Sequence, residues 1–205
     1  MLEAENLECT RGDRKLFRHL DFSVQSGTLV QLMGPNGSGK TSLLRMISGL
    51  LQPTEGQIRW DGTNIRSLGE DYRALLTYLG HRNGLKEELS ALENLRITTG
   101  LSGLDPDVTT RKEALKAIGL AGRDHLPVRL LSEGQKRRAA LARLMITKTR
   151  LWLLDEVFTA LDKSAVALVK NLIESHLNNG GLAIIATHQE LNLSASSFMR
   201  IELAS

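Results

Sequence analysis

The sequence predicts an α/β fold: a mainly parallel sheet with a helical lobe inserted into it. Three observations lead there. Apolar runs of strand length alternate with helical periodicity near both ends of the chain, a glycine-rich loop joins a strand to a helix near residue 40, and the middle of the chain is polar and helical in pattern. The 205 residues carry 26 Lys plus Arg against 23 Asp plus Glu and are 41% hydrophobic and 24% charged, an average globular composition that excludes disordered and fibrous classes. A chain of this size buries roughly 70% of its unfolded surface, so a single domain over residues 1–205 is expected.

Period-two alternation at Phe22 and Val24, then at Leu29, Val30 and Leu32, with Gly27 as a turn between them, gives two strands that lead into the glycine-rich loop. A helix begins near Lys40, where Leu43, Leu44, Met46, Ile47 and Leu50 recur at helical spacing, and Gly49 with Pro53 ends it. A short strand over residues 57–60 turns at Asp61-Gly62, and residues 75–79 form another apolar run. From 91 to 122 the pattern is helical, softened over 100–107. Strand and helix then alternate again: a helix over 135–146, a strand over 151–154, a helix over 164–177 and a strand over 182–187, the order of parallel strands. No internal repeat or low-complexity segment interrupts it.

The formal net charge is +3 without a long basic run, and aromatics are 4%, so neither a phosphate-tracking stripe nor a base-stacking platform is expected and nucleic acid is not the default partner. The single cysteine, Cys9, has no internal disulfide partner, which fits a reducing compartment, and reads as a small buried hydrophobe in an early strand. No apolar run approaches the roughly 18 residues of a membrane span. Residues 1–11 carry Glu3, Glu5 and Glu8 without an apolar centre, unlike a signal or transit peptide. A cytoplasmic address follows, with any membrane association made through a partner.

Gly34-Pro35-Asn36-Gly37-Ser38-Gly39-Lys40-Thr41 fits GxxxxGK[ST] between an apolar strand ending at Met33 and a helix beginning at Lys40. Glycines let the backbone wrap a phosphate chain, amide N–H groups and the helix N-terminus supply positive potential, Lys40 reaches the β and γ phosphates, and the Thr41 hydroxyl can ligate Mg²⁺. Downstream, the apolar run Leu151-Trp152-Leu153-Leu154 ends in Asp155-Glu156. Two acids at the end of a buried strand are costly unless a cation meets them. Asp155 is placed to hold Mg²⁺ directly or through water, and Glu156 to orient and deprotonate an attacking water, a pairing that argues for hydrolysis and not binding alone.

Leu131-Ser132-Glu133-Gly134-Gln135, ahead of that acid pair, resembles the LSGGQ signature of ATP-binding cassette (ABC) ATPases. Phe158-Thr159-Ala160-Leu161-Asp162 resembles the family's D-loop, and Thr187-His188 after the last apolar strand its switch histidine. With the phosphate loop and the acid pair, these motifs follow family order from residue 34 to 188, nearly the whole chain. Ser132 and Gly134 also read by themselves as a second anion cradle at a helix start, Ser132 being equally a plain N-cap. The basic face of that helix, Lys136, Arg137 and Arg138 with Arg143, reads as solvated. The resemblance implies a P-loop NTPase core with a mainly parallel sheet, N-terminal antiparallel strands and a helical lobe at about residues 82–135. It implies MgATP bound between two copies arranged head to tail, the Ser132, Gly134 and Gln135 segment of one copy closing on the γ phosphate held by the other. Lys40 and His188 then join in stabilising transferred charge.

Two positions depart from the family. His81 stands where the Q-loop glutamine is usual, which implies pH-sensitive coupling, and Arg11 stands where an aromatic stacks on adenine, which implies loose base selectivity. Val157 replaces the proline that commonly follows the catalytic glutamate, and Glu133 the second signature glycine. The strings around Cys9 to Phe17, Leu79-Gly80-His81 and Ala91-Leu92-Glu93-Asn94-Leu95 resemble the ATP-binding subunits of bacterial cytochrome c biogenesis. That likeness implies integral membrane permease partners of cytochrome c maturation, a peripheral place on the cytoplasmic face of the inner membrane, and hydrolysis coupled to haem handling without direct haem contact. A soluble cassette clamping nucleic acid or protein is the alternative.

Overall fold

A two-residue turn at Gly12 and Asp13 folds the first 24 residues into a long antiparallel hairpin, β1 (Leu2–Arg11) and β2 (Arg14–Val24), with Arg11 directly opposite Arg14. The structure, a computed structural model, describes residues 1–188, 191, 193 and 197–203. There follow β3 (Thr28–Met33), α1 (Lys40–Ile47), β4 (Glu55–Trp60), β5 (Thr63–Asn64), α2 (Ile65–Leu68), α3 (Glu70–Ala74) and β6 (Leu76–Leu79). Then come α4 (Ala91–Leu101), α5 (Val108–Ala117), α6 (Glu133–Leu141), β7 (Leu151–Asp155), α7 (Lys163–Asn178), β8 (Leu182–Ala186) and β9 (Ser197–Glu202). Single 3-10 turns lie at Val128–Leu130 and Ala142–Met145.

The chain divides into two compact units. The first comprises Met1–Tyr78, Thr149–Glu156 and Glu174–Ser205. It holds an antiparallel sheet in the order β2-β1-β4-β5 and a five-stranded sheet in the order β6-β7-β8-β3-β9, where β3 runs parallel to β8 and β9, and β7 parallel to β8. Every residue of β7 and β8 is buried, the mark of a central parallel strand covered on both faces. Leu2, Leu7 and Val24 of the hairpin, Val30 and Leu32 of β3, Leu43, Leu44 and Ile47 of α1, and Leu153 and Ile184 form one apolar core. The helical stripe of α1 is as expected except at its end. Leu50 lies past the helix and is 68% exposed, because the chain turns after Ser48 and the Leu50 N–H returns to the Arg45 carbonyl. In the same unit the Trp152 ring stacks on His176 at 3.9 Å, and burial lowers the His176 imidazole below its ordinary value.

The second unit comprises Leu79–Lys148 and Val157–Ile173. Its helices are cut by their caps. Ser90 and Glu93 make a reciprocal capping box at α4, Asp107 accepts from the Thr110 N–H at α5, and Ser132 and Gln135 make a second box at α6. Hence the helical pattern over 91–122 divides at its soft stretch over 100–107 into two helices, and the helix expected from 135 begins at Glu133. It leaves α geometry at Leu141 for a 3-10 turn instead of running on to 146. Strand β9 has no counterpart among the expected elements: its apolar residues Phe198, Met199 and Ile201 do not alternate strictly, and only Ile201 is buried. Among the described residues no helix is long and apolar enough to cross a membrane.

Candidate functional site

The phosphate loop joins β3 to α1 in the first unit, and its backbone demands glycine. Gly34 has φ 140°, and a Cβ there would stand 2.5 Å from the Leu203 carbonyl oxygen and 2.7 Å from Ser38 Oγ. Gly39, the N-cap of α1, has φ 107°, and its Cβ would meet the Phe17 ring at 3.0 Å. No side chain fits at either place, so bare backbone amides line the loop. The Ser38 N–H closes a tight turn onto the Pro35 carbonyl at 3.2 Å, with Asn36 and Gly37 exposed at its tip. Lys40 is 8% exposed and its Nζ donates to the carbonyls of Gly34 at 2.6 Å and Pro35 at 3.1 Å, which folds the ammonium over the loop. Ser38 Oγ is buried beside Gly34 and has no hydrogen-bond partner among the described residues, an unsatisfied polar atom within the loop.

The acid pair stands at the end of β7. Asp155 is 2% exposed, and its Oδ2 accepts from Thr41 Oγ1 at 2.8 Å, so the first turn of α1 and the central strand meet at one hydroxyl and one carboxylate. These hard oxygen donors suit Mg²⁺. Glu156 adopts φ 51°, a left-handed backbone rare for a residue with a Cβ, and its N–H is tied to the Ala186 carbonyl at 2.9 Å. The turn swings its carboxylate to His188, where Oε1 lies 3.3 Å from Nε2. The first unit therefore brings together the phosphate loop, Thr41, Asp155, Glu156 and His188. Arg11 lies in the same unit, exposed at the end of β1.

The signature residues belong to the second unit. Ser132 Oγ accepts from the Gln135 N–H at 3.3 Å and Gln135 Oε1 accepts from the Ser132 N–H at 3.0 Å, so Gln135 braces the cap while the Ser132 hydroxyl keeps its proton to donate. A Cβ on Gly134 would come to 2.8 Å from the Ala160 carbonyl oxygen, so only glycine allows the D-loop backbone to approach the signature helix. Ala160 itself has φ 62°. Asp162, at the end of that loop, caps α7 by accepting from Ala165 N–H and Ser164 Oγ, both at 2.8 Å, and receives Arg138 Nη2 at 2.6 Å. The Ala165 N–H above all, then Ser164 and Arg138, hold its carboxyl below the ordinary value. His81 is exposed near the start of the unit.

The basic face of α6 is not solvated. Arg137 is 4% exposed; its Nη1 donates to the Gly80 carbonyl at 3.0 Å and Asn83 Oδ1 at 3.2 Å, and its Nε to the Val157 carbonyl at 3.4 Å. It pins the segments flanking His81 and following Glu156 to the signature helix. Burial, and then the charge of Arg137, lower Arg143 to about 10. Lys136 is held between Glu133 at 3.0 Å and Glu87 at 3.4 Å. The sequence carried a signal for this: Arg137, Ala140, Leu141 and Leu144 recur at 3.6-residue spacing, and the last three are buried.

Comparison with known proteins places the chain. The ABC transporter family profile matches residues 17–159. The protein named Cytochrome c biogenesis ATP-binding export protein CcmA from Nitrosospira multiformis is 55% identical over 202 residues, covering 98% of both chains. Its namesake from Nitrosomonas europaea is 54% identical over 204 residues, covering 100% of this chain and 96% of that one. Among solved structures, an ABC transporter ATP-binding protein from Pyrococcus furiosus superposes with a TM-score of 0.84 at 25% identity, covering 98% of this chain and 96% of its own. The chain belongs to the ABC transporter family and is an ATPase of that family.

Proposed function

We propose that this ATPase serves a membrane export complex of c-type cytochrome biogenesis, coupling MgATP binding and hydrolysis to haem handling, either the release of a haem-loaded chaperone or haem export. The observation that carries the hydrolytic part is the Glu156 carboxylate 3.3 Å from His188, beside the Thr41–Asp155 pair at the mouth of the phosphate loop. The names of relatives at 54 and 55% identity over nearly the full chain support the assignment to cytochrome c biogenesis.

Lys40 and the loop amides hold the β and γ phosphates, and the Ser38 hydroxyl donates to a phosphate oxygen. Thr41 and Asp155 would hold Mg²⁺, which would supply positive charge to offset that of the phosphates. Glu156 takes the proton of the attacking water, and His188 donates toward the γ phosphate while keeping the Glu156 carboxylate oriented. Ser132 and Gly134 grip the γ phosphate of a second copy, with Gln135 fixing the Ser132 rotamer, and His81 senses the partner. Arg11 stacks on the base. Residues 1–205 act as one cassette, the helical lobe at about 82–135 carrying the partner-facing surface. Two copies work head to tail on integral membrane subunits of cytochrome c maturation, at the cytoplasmic face of the inner membrane.

The test is recovery of the tagged chain from detergent-solubilised membranes of its own host, with and without ATP, followed by identification of co-purifying proteins. Integral membrane proteins of cytochrome c maturation are expected. A different permease would discard the haem role, and recovery of no membrane protein would discard the membrane complex.

A further inference from the structure

Arg14 opens β2 immediately after the hairpin turn and has no part in the roles above. Its Nη1 stands 3.9 Å from the position that a Cβ on Gly37 would occupy, at the exposed tip of the phosphate loop. The approach is built into the fold. Leu16 and Phe17, two and three residues on, pack on Gly39 at 3.2 and 3.0 Å from its Cβ position, so the start of β2 is seated along the loop. Directly across the ladder from Arg14 is Arg11. Like charges facing each other on neighbouring strands destabilise the pair. Lys15 beside them is neutralised by Glu8 at 3.0 Å, but among the described residues no carboxylate lies within ion-pair distance of Arg11 or Arg14. The hairpin end thus presents the Arg14 guanidinium beside a phosphate-binding loop, with the like charge of Arg11 across the ladder, where a polyphosphate would relieve the repulsion. Guanidinium donors match phosphate oxygens in a two-pronged geometry that an ammonium cannot copy.

We infer that Arg14 is a second phosphate-binding cation of the nucleotide site, gripping the polyphosphate from the hairpin side while Lys40 grips it from the loop. The inference rests on the nucleotide-binding role of that loop. It makes phosphate charge, more than base stacking, the main determinant of which nucleotide is held: affinity ranks with the number of phosphates, and ATP and GTP bind alike.

The experiment is titration of ATP, GTP, ADP and AMP into the full chain and into R14A, R14Q and R14K, with K40A as the reference for loss of the loop, at low and physiological salt. R14A and R14Q should weaken ATP about tenfold, the loss of one charge-assisted contact at an exposed position, with a smaller loss for ADP and almost none for AMP. R14K should recover part of the loss. The salt dependence of ATP binding should flatten in R14A and R14Q. Thermal unfolding should be no lower in R14A and R14Q, and slightly raised where the repulsion from Arg11 is relieved, since Arg14 is exposed; R14Q stands in if R14A is unstable. Parental ATP affinity in both R14A and R14Q would overturn the inference, as would an equal loss for ATP, ADP and AMP. Failure of the unmodified chain to bind ATP, with K40A no different, would instead overturn the nucleotide role of the loop and this inference with it.

Discussion

Two helical glycines make opposite predictions from the same substitution. In Gly100→Ala the new methyl group meets nothing within 4 Å on the exposed face of α4, so only helix propensity acts, worth up to about 1 kcal/mol in favour of alanine. In Gly134→Ala the methyl comes to 2.8 Å from the Ala160 carbonyl oxygen, against the 3.4 Å at which ordinary contact begins. The shortfall, 3.4 minus 2.8, is 0.6 Å. That oxygen is main chain, and its residue already holds φ 62°, so it yields poorly. Overpacking of this kind costs about 1–3 kcal/mol, which outweighs the propensity gain and leaves a net loss on the order of 1 kcal/mol. For a chain of this size each kcal/mol moves the Tm by roughly 2–4 °C. Calorimetric unfolding should therefore place Gly100→Ala a few degrees above the parent and Gly134→Ala a few degrees below. A Gly134→Ala variant as stable as Gly100→Ala would show that the D-loop does not press on the signature helix, and the steric reason for glycine there would fall.

Glu156→Gln should retain ATP and accumulate as a nucleotide-bound dimer in light scattering while hydrolysis falls by at least about 100-fold; turnover at the parental rate would remove Glu156 as the base. Lys40→Ala should lose nucleotide affinity itself, and an unchanged titration curve would remove its phosphate role. His176 has a folded value below the ordinary 6.5, so above that pH it is neutral folded and unfolded alike and adds no pH dependence. As pH drops below about 6.5 the unfolded chain takes the proton more readily and stability declines, until the folded imidazole is protonated too. His176→Phe keeps an aromatic ring on Trp152 and should flatten that part of the stability profile in denaturant titrations; an unaltered slope would assign the pH dependence elsewhere.

The parts of the site legible in the sequence are those whose chemistry is spelled by neighbours in the chain. The run from Gly34 to Thr41, the Asp155-Glu156 pair and the segment from Leu131 to Gln135 each place several functional groups on one turn, so spacing alone reveals them. Groups assembled by distant segments left no such string. The approach of Arg14 to Gly37 depends on how the hairpin seats against the loop, and the contact between Glu156 and His188 on a left-handed turn after β7. The α6 arginines misled because charge weighs heavily in any reading of exposure, whereas Arg137 satisfies its guanidinium with the Gly80 and Val157 carbonyls and the Asn83 side chain and so tolerates burial. Strand β9 is hard to read because the adjacent Phe198 and Met199 break the alternation that Met199 and Ile201 would otherwise give.

The left-handed backbone at Glu156 also bears on how such a chain can drift. A non-glycine residue in that conformation costs on the order of 1–2 kcal/mol, a sizeable part of the margin by which a domain of this size stays folded. Substitution by glycine would relieve the strain and raise stability while deleting the carboxylate. A lineage released from the need for turnover would find that change among its easiest stabilising steps, and the carboxylate proposed as the hydrolytic base would be lost early while the glycine loop after β3, whose glycines the fold itself requires, persisted. A degenerate relative of this protein is therefore expected to remain a nucleotide-binding protein long after it has ceased to be an ATPase.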